Sequence, residues 1–78
     1  MATVGGRLRF VRNRKVWTQQ DLARESGVPV VTISRVENGH HEGQPRPSTI
    51  RRLAGALGVE PEWLQHGDDE GIGGKVTA

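Results

Sequence analysis

Arginine is the residue type with the most chemistry to offer in this chain. Residues 1–52 hold ten Lys or Arg, nine of them arginine, against four Asp or Glu, while residues 53–78 hold one lysine against five acids. A basic body of net +6 therefore precedes an acidic stretch of net −4. The guanidinium is a planar fork of donors that matches phosphate oxygens and base edges. The asymmetry points to an anionic partner for the body, with an ordinary solvated surface as the alternative. Other chemistries find less to work with. The chain has no cysteine, so disulfides and thiolate metal sites are excluded. His40, His41 and Glu42 are adjacent residues in a Gly-flanked loop and lack ligand spacing, so no metal is expected. No nucleophile is matched with a histidine and a carboxylate on ordered elements, and a domain this small offers little pocket volume, so neither an enzyme nor a cofactor is expected. "GIGG" near the end is not a phosphate loop, because no strand precedes it and no helix follows.

These side chains need a scaffold, and the hydrophobic pattern is that of helices. Val4, Leu8 and Val11 recur at three- or four-residue spacing and predict a helix over residues 4–15, broken at Val16-Trp17. Thr18 is the expected N-cap of a second helix, with Asp21 as a weaker form of the capping box and Leu22 and Ala23 on the buried face. Ser26-Gly27 stops it. Pro29 suits the first turn of a third helix, which places Val28, Ile33 and Val36 on one side and ends at Asn38-Gly39. Residues 39–47, "GHHEGQPRP", form a loop by composition. Ser48 is the expected N-cap of a fourth helix whose Ile50, Leu53, Ala54 and Leu57 give the clearest amphipathic signal in the chain. Pro61 opens a short fifth helix, with Trp63 and Leu64 inward and Gly67 closing it. Trp17 and Trp63 adjoin other apolar residues and are read as core, not as stacking platforms for bases. No strand periodicity and no internal repeat is present. The reading is one all-α domain of five short helices over residues 1–67, followed by a disordered acidic and Gly-rich tail at 68–78. A core of this size alone rarely yields more than about 3–5 kcal/mol.

The turn at Gly27 is too short for the second and third helices to lie side by side along their length, which forces the steep crossing of a helix-turn-helix. Here the resemblance becomes specific. "TQQDLARESGVPVVTISRVENG" resembles the helix-turn-helix of the phage repressor and Cro type, the XRE family. The matching residues are Thr18-Gln19, Leu22-Ala23, Gly27, Ile33-Ser34 and Glu37-Asn38-Gly39, and "LAGALGV" and "EWLQHG" are similar to the family's fourth and fifth helices. The likeness covers about residues 4–67 and implies a five-helix phage-repressor-like domain with a central helix-turn-helix. Ala23 has to be small where the next helix crosses it, and Leu22, Val28, Ile33 and Val36 form the wedge that sets the crossing angle. Two positions depart from the family pattern. Ser26 stands where a larger apolar side chain is usual. Val16 stands where glycine or asparagine often ends the first helix in a left-handed turn. A β-branched residue is strained in that conformation, so a differently built turn is expected.

The resemblance also implies roles. The early side chains of the third helix reach base edges in the major groove, which by position makes Val30, Val31, Ser34 and Arg35 the readers, with Thr32 marginal. Valine offers only apolar contact, and the apolar feature of the groove is the thymine methyl; arginine forks onto guanine O6 and N7. A half-site with thymine near guanine follows. The alternatives are that Val30 and Val31 are core, against which the helical period argues, and that Arg35 touches phosphate. Thr18, Gln19, Asn38 and Arg46 are the implied phosphate contacts, with Arg7, Arg9 and Arg14 as further candidates. Arg12 and Glu37 are implied to form a partly buried structural ion pair.

The expectation is a sequence-specific regulator of transcription that binds double-stranded DNA, acts as a repressor and works as a homodimer on DNA. Val59, Pro61 and the 39–47 loop are the dimer candidates. No separate oligomerisation or ligand-sensing domain is expected in the chain, so a regulatory protein partner is a further possibility. The alternative on the same fold is a protein-interaction module or antitoxin-type adaptor. The N-terminus lacks an apolar leader and no segment is long enough to span a bilayer, so a cytoplasmic, nucleoid-associated protein without a membrane partner is expected.

Overall fold

The computed structural model describes residues 3–40 and 45–67. The expected tail at 68–78 and the centre of the 39–47 loop, including His41 and Glu42, lie outside the described residues. Five helices follow one another: α1 Val4–Arg14, α2 Gln19–Ser26, α3 Val30–Glu37, α4 Pro47–Leu57 and α5 Pro61–His66. Their principal contacts form a closed circuit in which α1 touches α3, α3 touches α2, α2 touches α4, α4 touches α5 and α5 returns to α1. Each helix supplies at least one fully buried side chain to the centre: Leu8, Leu22, Ile33, Ile50 with Leu53, and Leu64. Burying a leucine or isoleucine contributes about 1.5–3 kcal/mol. The core is therefore an equal partnership of short helices, none of which is long enough to persist alone in water.

The helix ends explain why such short segments start and stop where they do. Thr3 Oγ1 accepts from Gly6 N–H at 2.9 Å and opens α1. At α2 the capping box closes fully: Thr18 Oγ1 accepts from Asp21 N–H at 3.0 Å, and Asp21 Oδ2 accepts from Thr18 N–H at 2.9 Å. The aspartate is thus long enough to complete the reciprocal pair. The start of α4 differs from expectation. Pro47 is its first residue and Arg46 its N-cap, with no side-chain cap bond, so Ser48 already lies inside the first turn. Proline fits there because its missing N–H is one that would go unpaired.

Three C-termini share one device. The N–H groups of Trp17, His40 and Val59 each return to the carbonyl five residues earlier, at Arg12, Arg35 and Ala54. Val16, Gly39 and Gly58 each donate to the carbonyl three residues earlier. This is the Schellman pattern, which needs a left-handed residue at the position before the last donor. Gly39 and Gly58 supply it with φ of 74° and 75°. Val16 supplies it too, with φ of 58°. The expectation of a differently built first turn is therefore wrong: the turn keeps the usual geometry and Val16 bears the strain. What enforces it is Arg12, whose Nη1 donates to the Trp17 carbonyl at 2.8 Å and holds the connection from outside.

Val16 is 87% exposed, so its side chain adds little to the core. A left-handed L-residue costs about 1–2 kcal/mol, and glycine's extra backbone entropy returns about 0.5–1 kcal/mol of that. Val16→Gly is accordingly expected to stabilise the domain by about 1 kcal/mol, a rise of about 4–8 °C in melting temperature for a domain of this size. Thermal unfolding followed by circular dichroism checks it; a lower melting temperature would show that the valine side chain makes a contact worth more than the strain.

Candidate nucleic-acid interface

The short connection between α2 and α3 is built from local chemistry. Gly27 takes φ of 77° and its N–H bonds to the Ala23 carbonyl at 2.9 Å. Ser26 Oγ then accepts the Val28 N–H at 3.1 Å. The residue that departs from the family's apolar preference thus satisfies a backbone donor that the turn would otherwise strand. Pro29 is extended, at φ −58° and ψ 143°, and its carbonyl accepts from Thr32 and Ile33 N–H. It stands at the N-cap, one position before the first turn in which it was expected, and α3 proper begins at Val30.

The inner side of α3 carries Ile33, Val36 and Glu37, with Val28 buried just before it. Glu37 ends the helix with a side chain that has no exposed surface. Arg12 reaches it from α1 as a fork, Nε to Oε2 at 2.7 Å and Nη2 to Oε1 at 2.9 Å. Gln19 Nε2 donates to Oε1 from α2 at 3.0 Å, and Arg9 Nε lies 3.6 Å from the same oxygen. Burial pushes the Glu37 carboxyl up. The Arg12 and Gln19 hydrogen bonds, with the charges of Arg12 and Arg9, outweigh it and hold the group below the ordinary glutamate range. The Glu37 hydrogen bond raises Arg12 in return, against the effect of burial. A backbone constraint reinforces the same junction. At Gly5, in the first turn of α1, an added methyl would run into the Val36 carbonyl oxygen, so α1 and the end of α3 meet backbone to backbone.

The outer side of α3 carries the residues expected to read bases. Val30 is 39% and Val31 57% exposed, so neither belongs to the core. Ser34 and Thr32 are half-buried and Arg35 is exposed. Arg35 has no side-chain hydrogen bond or ion pair among the described residues. A groove lined by Thr32, Arg35, His40, Arg46 and Thr49 opens between α3 and the start of α4. It brings Arg35 and Arg46 together from opposite ends of the loop.

The residues expected to contact phosphate are distributed less simply. Thr18 and Gln19 stand together at the start of α2, but Thr18 Oγ1 already accepts a capping bond and Gln19 gives one N–H to Glu37. Gln19 keeps its second amide N–H as a donor. Asn38 is exposed at the end of α3 and bonds to Arg9 and Ser34. Arg46 is exposed at the α4 N-cap. Arg14 lies over the Phe10 ring, 5.6 Å from its centre.

Arg7 is not a surface cation at all. It is buried, and Nε and Nη2 donate to the Leu64 and Gln65 carbonyls at 2.9 and 2.8 Å, the free acceptors at the end of α5. Burial lowers its pKa, and the negative end of the helix is a favourable site for the cation. The signal was available: Arg7 falls three residues after Val4 and four before Val11, on the apolar stripe of α1. Gly5 and Ser26 carried no comparable signal, because their roles depend on what crosses or follows them in space.

The sequence profile of a helix-turn-helix family matches residues 8–64. The chain is 42% identical over 66 residues to the HTH-type transcriptional repressor RghR of Bacillus subtilis, covering 85% of this chain and 48% of that protein. It is 29% identical over 68 residues to the HTH-type transcriptional regulator DicA of Escherichia coli, covering 87% of this chain and 49% of that protein. The chain thus spans about half the length of these curated relatives. The P22 c2 repressor, solved in complex with synthetic operator 9T, superposes with a TM-score of 0.78 at 31% identity over 87% of this chain and 100% of that one. The restriction-modification controller protein C.AhdI from Aeromonas hydrophila gives 0.73 at 35% identity over 81% and 92%.

The depressed Glu37 pKa has a defined consequence for stability. Its contribution is fully present above the unfolded-state value of about 4.3 and is lost as pH falls from there through the folded-state value. Glu37→Gln is expected to cost about 3 kcal/mol at neutral pH, since it strands Arg12. It should also make the acid limb of stability shallower, with Asp21, lowered by the Thr18 N–H and by Arg24, left to supply the remainder. Urea unfolding between pH 3 and pH 7 (a range in which glutamate titrates) checks both; parallel acid limbs for the two proteins would remove Glu37 from this role.

Proposed function

The chain belongs to the helix-turn-helix family of the phage-repressor type, and from that premise we propose that it is a sequence-specific, double-stranded-DNA-binding regulator of transcription acting as a repressor. The observation that carries the proposal is the outer side of α3, where Val30, Val31, Ser34 and Arg35 are directed away from the core beside Arg46. In this reading α3 lies in the major groove. Val30 and Val31 pack on thymine methyl groups and Arg35 forks onto a guanine, with Thr32 at the edge of the contact. Thr18, Gln19, Asn38 and Arg46 hold phosphates on either side and set the register without reading sequence. Arg12 and Glu37 contribute by holding the two motif helices in place. A homodimer reads two related half-sites about one helical turn apart, pairing through Val59, Pro61 and the 39–47 loop. No helix of the described residues is long and apolar enough to cross a membrane.

Binding to duplex DNA tests the proposal directly. Affinity should fall steeply with salt, with a log–log slope of about −0.9 for each phosphate neutralised. Absence of duplex binding at low salt would overturn the proposal and leave the adaptor reading. Arg35→Ala is expected to cost about 1–3 kcal/mol and to relax preference at one base pair, while Gln19→Ala weakens binding to all sequences alike. An unchanged base preference in Arg35→Ala would instead make Arg35 a phosphate contact.

A further inference from the structure

Asn38 closes α3 on its exposed side, and its amide is held at both ends. Arg9 Nη2 donates to Asn38 Oδ1 at 3.2 Å, and Asn38 Nδ2 donates to Ser34 Oγ at 3.3 Å. Arg9 is itself anchored by its approach to the buried Glu37 carboxylate. A chain of contacts therefore runs from the buried acid, through Arg9 of α1 and Asn38, to a serine one turn back on α3.

An asparagine amide has two orientations that exchange its oxygen and its NH2 group. Beside a serine alone, both are feasible: the amide donates to the hydroxyl oxygen, or the hydroxyl donates to the amide oxygen. Arg9 removes the choice. A guanidinium carries donors only, so the amide oxygen faces Arg9 and the NH2 group faces Ser34. Ser34 Oγ is then engaged as an acceptor on that side, and its single proton is directed elsewhere. Both bonds are at the exposed rim, where such contacts contribute little to stability, so their main consequence is orientation.

Resting on the reading of α3 as the groove helix, we infer that Arg9 and Asn38 are positioning residues that set Ser34 as a hydrogen-bond donor. The base edge beneath Ser34 is then an acceptor: guanine N7 or O6, adenine N7 or thymine O4. The amino group of cytosine is disfavoured there. Serine by itself accepts either kind of edge; the relay through Asn38 gives it a sign.

The test is selection of bound duplexes from a random pool by the unmodified chain and by Ser34→Ala, Arg9→Ala, Arg9→Lys and Asn38→Asp, with thermal unfolding of each. The unmodified chain should favour an acceptor-presenting base by about three- to tenfold, the range of one hydrogen bond, at the position whose preference Ser34→Ala abolishes. Arg9→Ala should erase that preference and leave the Arg35-dependent position intact. Arg9→Lys, which also presents donors only, should restore it. Asn38→Asp has no N–H to give, so the Ser34 hydroxyl turns to the carboxylate and the preference moves toward an amino-bearing base; the carboxylate also replaces the proposed phosphate contact and lowers affinity for all sequences alike, so the preference is read relative to the Arg35-dependent position. A purely structural Arg9 would lower melting temperature and affinity for all sequences with the base preference unmoved, and that result overturns the inference. Failure of the unmodified chain to enrich any sequence overturns the DNA-binding proposal itself, a separate outcome.

Discussion

Everything on the outward side of α3 depends on a carboxylate that faces the other way. Glu37 is out of contact with solvent, and a buried carboxylate is tolerated only when it is paired and hydrogen-bonded. Its partners come from two other helices, Arg12 from α1 and Gln19 from α2. Arg12 is committed further, since its third nitrogen, Nη1, donates to the Trp17 carbonyl. One charged group therefore fixes the end of α3, the start of α2, the length of α1 and the turn between α1 and α2. A hydrophobic replacement of a buried ion pair is often neutral for stability, but apolar contact is non-directional, whereas the forked pair admits one relative placement of the three helices.

That placement determines what the third helix can show to a partner. Its inner side is occupied by Ile33, Val36 and Glu37, and Gly5 lets α1 approach the end of the helix closely enough for backbone contact. With 3.6 residues per turn, the positions left over are those of Val30, Val31, Ser34 and Arg35, with the half-buried Thr32 at the edge. The two exposed valines are thus a consequence of helix phase set by the core, and their poor helix propensity is tolerated because Pro29 and the Ser26 hydroxyl organise the chain ahead of them. The α2–α3 turn and the α1–α3 contact act together: one sets where α3 begins, the other where it ends.

Much of this was legible in the sequence because its causes are local. The apolar spacing of Ile50, Leu53, Ala54 and Leu57, the Thr18 and Asp21 cap, and the glycine at the α2–α3 turn each act within a few residues. What was not legible depends on contacts distant along the chain. Val16 reads as incompatible with a left-handed turn until Arg12 is seen to hold that turn from outside. Arg7 reads as one more surface cation until the carbonyls of Leu64 and Gln65 are placed beside it. Gln19 reads as a phosphate contact, and its engagement with Glu37 emerges only when α2 and α3 are brought together. Ser48 was displaced as a cap by the residue next to it, because Pro47 already fits the first position of α4.

The division of the arginines bears on how such a domain would hold DNA. The body carries a large formal charge, yet much of it is turned inward or locally engaged. Arg7 clamps α5, Arg12 pairs with Glu37, Arg24 pairs with Asp21, and Arg14 and Lys15 lie over the rings of Phe10 and Trp17. Beside the outer side of α3 stand Arg35 and Arg46, on either side of one groove, and the exposed Arg9, which bonds to Asn38. Counterion release scales with the phosphates neutralised, so formal charge overstates the electrostatic part of binding. In the proposed reading, contacts insensitive to salt would add to the phosphate contacts. Methyl groups packed on thymine methyls are of that kind. They require the reading edge to be held at a fixed depth and angle, which is what the buried Glu37 network provides. An apolar edge and an internally committed set of arginines are therefore two sides of one arrangement, in which the charges that build the scaffold are not those proposed to meet DNA.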